Sequence, residues 1–321
     1  MYKTIIAESV YNRIITAEKD KPLPQQSYLY KLLKQQPVQI LSATENENIR
    51  LHPEQVLNNP SSAYILNSTS AEAKTIQKNY GVLCLGSDNI DISPLIDVDD
   101  YFNPSTEKKK FNGWDKVLDS VETLPSNALV IKDRYLFSNR NKQYGDGLAN
   151  IRLILNELLP KTFEGGEYHI TVVFDVEEKH YTYTYDEIAT KINNIVRQLR
   201  RGYKFMVEVL GIKESCSLYN DTHDRQIISN YYFIEASRQL AAFTPEDLGT
   251  VNQSITPWAL FTHSSLDGNS SAPLEQIEQT IQDFHDFYAS LSNEAEHKTY
   301  LYTLNGKRME RCTGVRNRLL K

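Results

Sequence analysis

The feature that most constrains this chain is a strand, a helix and a second strand compressed into residues 63–86. The apolar run Ala63 to Leu66 leads to Ser70, which can cap a helix over Ala71 to Tyr80. Gly81 stands where a left-handed C-terminal cap falls, and the run Val82 to Leu85 follows at once. Strands joined through a helix in this way are expected to pair in parallel. A helix at Gln26 to Lys34 and an apolar run at Val38 to Leu41 extend the alternation backwards, so residues 1–105 read as a small Rossmann-like α/β domain.

A second alternation begins after a change in composition. The stretch Asp97 to Asn112 mixes acids, Asn103-Pro104-Ser105 and three consecutive lysines, which marks residues 106–125 as a linker. With 321 residues, two domains are the expectation. The second, over 126–321, shows a run at Ala128 to Ile131, a helix at Leu148 to Leu159 and a strand at His169 to Phe174. Next comes a helix at Glu187 to Leu199, with Ile188, Ile192, Ile195 and Leu199 spaced four, three and four apart, and a strand at Phe205 to Leu210. Ile227 to Ile234 reads as one β run or as two joined at Ser229 and Asn230. A helix at Leu274 to Leu291 and a strand at Thr299 to Leu304 complete the series, giving an α/β chain throughout.

Composition removes several classes. The chain is 40% hydrophobic and 24% charged, as folded proteins are. Cys84, Cys216 and Cys312 lie far apart without CxxC spacing, so neither a disulfide framework nor a zinc site is expected, and a reducing cytoplasm is. No apolar run approaches membrane-spanning length, and the N-terminus lacks a cleavable signal pattern. Membrane insertion is not expected, and no residue set calls for a metal or another cofactor.

Chemistry concentrates at His223, Asp224 and Arg225. His223, Arg225 and Asn230 are spaced two and then five apart on a segment entering a β run, so their side chains could converge on one ligand. A histidine can act as nucleophile or general base toward phosphorus, and an arginine offers a planar fork for two phosphate oxygens. The string from His223 to Asn230 resembles the phospholipase D superfamily motif, His-x-Lys followed by four residues and Asp. Arg225 would replace its lysine and Asn230 its aspartate. A closer likeness is the divergent phospholipase D-like domain at the C-terminus of MIT-domain proteins, which has a His-Asp-Arg run and an earlier Asp-x-Tyr at a strand end, here Asp133-Arg134-Tyr135.

That resemblance implies a phospholipase D-like mixed-sheet domain recognising a phosphate or phosphodiester. His223 would be the nucleophile or base, Arg225 the phosphate clamp, Asn230 an orienting group and Asp133 a partner for the histidine. Catalytic members of the superfamily combine two motifs, so an active form would be a homodimer. The divergent group binds phospholipid head groups without cleaving them.

Charge adds a second expectation. Arg308, Arg311, Arg316, Arg318 and Lys321 crowd the tail, with Lys307, against the single acid Glu310, and favour a nucleic-acid surface even though the net charge is -6. Arg197, Arg200, Arg201 and Lys204 read as a solvated helix end. Asp91, Asp97, Asp99 and Asp100 read as an acidic loop, Gly145-Asp146-Gly147 as a plain turn, and His169 and His285 as packing or surface residues. The whole is expected to be a nuclease-like component of a bacterial defence system. The competing expectation is a non-enzymatic module that docks a partner protein through residues 1–105.

Overall fold

Short runs of buried aliphatic residues build the first sheet. A computed structural model describes residues 2–23, 28–34, 36–88, 113–118, 125–138, 146–175, 183–212, 225–243, 255–259, 300–305 and 308–312, with 279, 282, 283, 286, 314 and 316–320. Strands β1 (Thr4–Ala7), β2 (Val38–Leu41), β3 (Ala63–Leu66) and β4 (Cys84–Gly86) form a parallel sheet in the order β2-β1-β3-β4. The parallel pair expected from residues 63–86 is therefore present. Its helix α4 (Ser70–Tyr80) is capped by Thr69, one residue before Ser70, and ends at Gly81 in the left-handed conformation, φ 63°. Sequence periodicity missed β1, α1 (Glu8–Asp20) and α3 (Ala43–Leu51), although Ser42 and Glu45 form a capping box at the start of α3. The helix expected at Gln26 to Lys34 is α2 (Tyr28–Lys34). One face of the sheet packs Ile5, Tyr64 and Leu66 against Ile49 of α3 and Ala73 and Ile76 of α4.

The second sheet has eight strands in the order β10-β9-β8-β5-β6-β7-β11-β12. Its centre is parallel: β5 (Ala128–Asp133), β6 (Glu167–Asp175) and β7 (Lys204–Ile212), linked through α6 (Gly147–Leu158) and α7 (Tyr185–Leu199). The Ile227 to Ile234 region is a hairpin of β8 (Arg225–Ser229) and β9 (Tyr232–Ala236), with β8 antiparallel to β5 and β10 (Ile255–Ala259) beyond. On the other side lie β11 (Tyr300–Asn305) and β12 (Arg308–Arg311). The chain is thus α/β, a parallel sheet followed by a mixed one.

Part of the stretch expected to be a linker is structural. Trp114–Leu118 form helix α5, whose Trp114, Val117 and Leu118 are buried against α6 and the second sheet. The Trp114 indole donates to Asn150 Oδ1 at 2.9 Å. Of the helix expected at Leu274 to Leu291, only 279, 282, 283 and 286 are described, all helical. The acidic group Asp91, Asp97, Asp99 and Asp100 lies outside the described residues.

Each unit has a cluster of its own on one face of its sheet, and the two share a third. Helices α5, α6 and α7 cover one face of the second sheet. On the other face, Val130, Val173, Leu210 and Ile228 share a single cluster with Ile6, Val10, Ile14, Leu29 and Leu32 of the first unit. Residues 316–320 enter this layer, with Leu319 and Leu320 buried in the cluster. The tail is held by Glu208, an acid on β7 with no exposure. Its carboxylate accepts from the Arg316 and Asn317 backbone N–H groups and from the Thr171 hydroxyl, while Asn317 Nδ2 donates to Leu129 O at 3.1 Å and Thr171 Oγ1 at 2.9 Å. Burial raises the Glu208 pKa, and these donors oppose the rise.

Glu208→Ala would strand buried donors, each costing about 1–3 kcal/mol. The expected result is a denaturant midpoint lowered by the equivalent of roughly 2 kcal/mol or more, with faster amide exchange over 316–320. Wild-type protection there would show that the carboxylate does not hold the tail.

Candidate functional site at the edge of the second sheet

Asp133 closes β5 where the strand order reverses. From β5 the chain proceeds outward through β6 to β7, then returns to lay β8 on the opposite side of β5. Open α/β sheets bind ligands beyond the carboxyl ends of strands at such a reversal. Asp133 and Arg225 are direct cross-strand partners, so their side chains emerge on one face.

The Asp133 carboxylate is fully buried. It accepts from the Leu240 N–H at 2.6 Å and the Tyr135 N–H at 2.9 Å. Burial pushes its pKa up to about 6, opposed by those two N–H groups and by the Arg225 guanidinium. Arg225 is half-buried, and its Nη1 donates to Ser237 O at 3.2 Å. The segment that carries Leu240 is anchored by Asn150 of α6, which donates to Phe243 O at 2.7 Å and accepts from Phe243 N at 3.1 Å.

Beside this pair stands a second one that sequence reasoning did not single out. Arg134 Nε lies 3.4 Å from Asp175 Oδ2, and the Arg134 guanidinium sits 5.0 Å from the Tyr135 ring centre. Its signal in the sequence was positional: both β5 and β6 end in an aspartate, and with Lys132 opposite Val173 the last residue of β6, Asp175, comes level with Arg134. The two pairs lie at the same end of the sheet but on opposite faces: Asp133 and Arg225 share the face of Leu129 and Ile131, and Asp175 that of Val173. Phosphate oxygens can replace carboxylate oxygens on such guanidiniums with the same bidentate geometry.

His223 and Asp224 lie outside the described residues, immediately before Arg225. Asn230 is at the far end of β8, five residues and roughly 16 Å away along an extended strand. Its Oδ1 accepts from the Asn127 N–H at 2.9 Å and the Ala128 N–H at 3.2 Å, and its Nδ2 donates to Pro60 O and Asn127 Oδ1, both at 3.1 Å. The expectation that Asn230 joins Arg225 around one ligand is therefore corrected. Strand geometry carries it to the opposite edge, where it ties β5 to the first unit.

The basic tail is corrected in part. Arg308, Arg311 and Arg316 are exposed, and Lys321 lies outside the described residues. Arg318 instead turns inward: its backbone N–H donates to His169 Nδ1 at 3.0 Å and its Nη2 donates to Glu167 O at 2.6 Å. Burial lowers its pKa to about 10. His169, expected to be a packing or surface residue, is the acceptor in that contact. Asp146 caps α6 by accepting from the Leu148 N–H at 2.8 Å, as a plain turn requires. Among the described residues no group of histidines, cysteines and acids could hold a metal ion, and no helix is long and apolar enough to cross a membrane.

No family model and no curated protein matches the chain. Among solved structures it is similar to Drosophila Piwi, at 10% identity and a TM-score of 0.22 over 81% of this chain and 41% of that one. It is also similar to the Argonaute protein from Methanocaldcoccus janaschii in complex with guide DNA, at 9% identity and a TM-score of 0.22 over 99% of this chain and 43% of that one. The chain thus spans less than half the length of either. Similarities of this extent leave its function to be argued from its own geometry.

The raised Asp133 pKa has a definite sign in stability. Below about pH 4 the carboxyl is protonated in both states, and its folded-state advantage is fully present. That advantage is lost as pH rises towards about 6, because the unfolded chain ionises first. A rise of this size is worth roughly 3 kcal/mol. Relative to wild type, Asp133→Asn should therefore gain up to about that much unfolding free energy between pH 4 and 6.5, on top of a pH-independent loss from its missing acceptor. A constant difference in denaturant titrations across that range would show that Asp133 titrates normally.

Proposed function

We propose that the end of the second sheet marked by Asp133 and Arg225 recognises a phosphodiester of nucleic acid, with His223 and Asp224 contributing from the segment just before β8. The observation that carries this reading is the Asp133–Arg225 cross-strand pair at the reversal point of the second sheet. Arg225 supplies the planar cation, and Asp133 tunes it: with the carboxylate charged, the pair is neutral, and with it protonated, Arg225 carries an uncompensated charge. The exposed Arg308, Arg311 and Arg316 support a polyanionic ligand.

The likeness to phospholipase D-like domains belongs to the same proposal, as does a role in bacterial defence. One observation favours recognition over cleavage. Asn230 is engaged in backbone and side-chain bonds far from Arg225, which leaves the motif without its third group. Cleavage would then need a second copy of the chain and another acid to support His223, the part that the resemblance gives to Asp133.

Fluorescence anisotropy with labelled single-stranded and duplex oligonucleotides tests this reading. Arg225→Ala should weaken binding about tenfold or more, the worth of a charge-assisted hydrogen bond, and His223→Ala should weaken it as well. Asn230→Ala should unfold earlier while binding as wild type does. Wild-type affinity should rise as pH falls through about 6, because Asp133 protonates there while a phosphodiester does not. Asp133→Asn should keep the higher affinity at neutral pH. If Arg225→Ala and His223→Ala both bind like wild type, the site is not where the phosphate sits.

A further inference from the structure

At the opposite edge of the second sheet a cleft of about 810 Å³ opens between the two units. One wall is α4, with Lys74, Gln77 and Lys78; the other is the turn from α6 towards β6, with Lys161; Gly81, Ser126 and Arg200 also line it. Ligand sites typically hold about 300–1,000 Å³. Its walls are fixed to each other. Asn79 Nδ2 donates to Glu164 Oε2 at 2.8 Å, the Glu164 N–H donates to Asn79 O at 2.8 Å, and Asn127 Nδ2 donates to Gly81 O at 3.0 Å.

The lining charge is one-sided, with Lys74, Lys78, Lys161 and Arg200 against Glu157 alone. Cations at helix C-termini are often only caps, and Arg200 is one of these. It donates to the carbonyls of Asn156, Leu159, Leu199 and Pro160. The three lysines are different: they are exposed, and among the described residues none of them has a hydrogen-bond or ion-pair partner. Lys74 and Lys78 are one helical turn apart and project together. In a chain of net charge -6, three ammoniums with no partner among the described residues around one preformed cleft are a local reversal of sign.

We infer that this cleft holds the sugar-phosphate backbone of a nucleic-acid strand, with Lys74, Lys78 and Lys161 each meeting phosphate oxygens. Among the described residues the lining has no aromatic ring on which a base could stack, so contact there is with phosphates and does not depend on sequence. The ligand class rests on the function proposed above, but the site and its residues do not overlap with Asp133 and Arg225. The cleft would extend the strand's path away from that edge and across the junction between the units.

The test is a salt titration of oligonucleotide binding for wild type, for Arg225→Ala and for the triple variant Lys74→Gln, Lys78→Gln, Lys161→Gln. The substituted side chains are exposed, and an unchanged thermal midpoint confirms that the triple variant folds. Removing three phosphate contacts from a single strand should reduce the slope of log K against log salt by about 2. It should leave the Arg225→Ala effect intact. If wild type binds, Arg225→Ala weakens it and the triple variant keeps the wild-type slope, the cleft inference falls while the sheet-edge site stands. If the triple variant loses slope but Arg225→Ala binds normally, the sheet-edge reading falls instead. Poly-glutamate competing as well as an oligonucleotide of equal charge would overturn the assignment to nucleic acid.

Discussion

Burying Glu208 inside a β-sheet sets the terms for the rest of the molecule. An acid with no exposure in the middle of β7 is tolerable only if its oxygens are saturated. The donors come from far along the chain: the backbone N–H groups of Arg316 and Asn317, with the Thr171 hydroxyl from the neighbouring strand. Satisfying one carboxylate therefore brings residues 316–320 across the sheet, and Leu319 and Leu320 fill the layer between the two units. With that layer filled, the first unit is fixed against the second, and both the sheet edge and the inter-unit cleft acquire fixed geometry.

Asparagines carry the same logic at other junctions. Asn230 and Asn127 bond to each other, and through Pro60 O and Gly81 O they reach the first unit. Tyr231 adds bonds from its hydroxyl to Pro60 O and Ser62 O. Asn150 joins α5, α6 and the Leu240 segment that supplies an N–H to Asp133. Neutral amides suit these places because each offers both donors and acceptors without the desolvation cost of a charge.

Most of the fold was legible in the sequence where periodicity was strong. The α7 stripe, the β6 and β7 runs, and the Ala63–Gly81 unit were all placed within a few residues, since each buries a regular apolar pattern. Helix α5 was hidden in a charged stretch, because five residues are too few to show a period. The shared core was not legible either. Leu319 and Leu320 sit among cations, and their burial follows from the long-range bonds of Arg316 and Asn317 to Glu208. At the site, the ends of β5 and β8 could be anticipated, but the regular spacing from His223 to Asn230 misled. A five-residue offset along an extended strand spans a sheet edge to edge, so it separates two side chains where a motif suggests that they meet.

The threading of residues 316–320 also governs the order in which the molecule can be made. Asn317 bonds to Leu129 O, 188 positions earlier. On the ribosome, everything that forms both sheets through β12 emerges before that contact is possible. Until it forms, the apolar faces of α1 and α2 and the inner face of the second sheet have an unfilled seam between them, and Glu208 lacks its backbone donors. The nascent chain must therefore carry that seam open until residues 316–320 have been made.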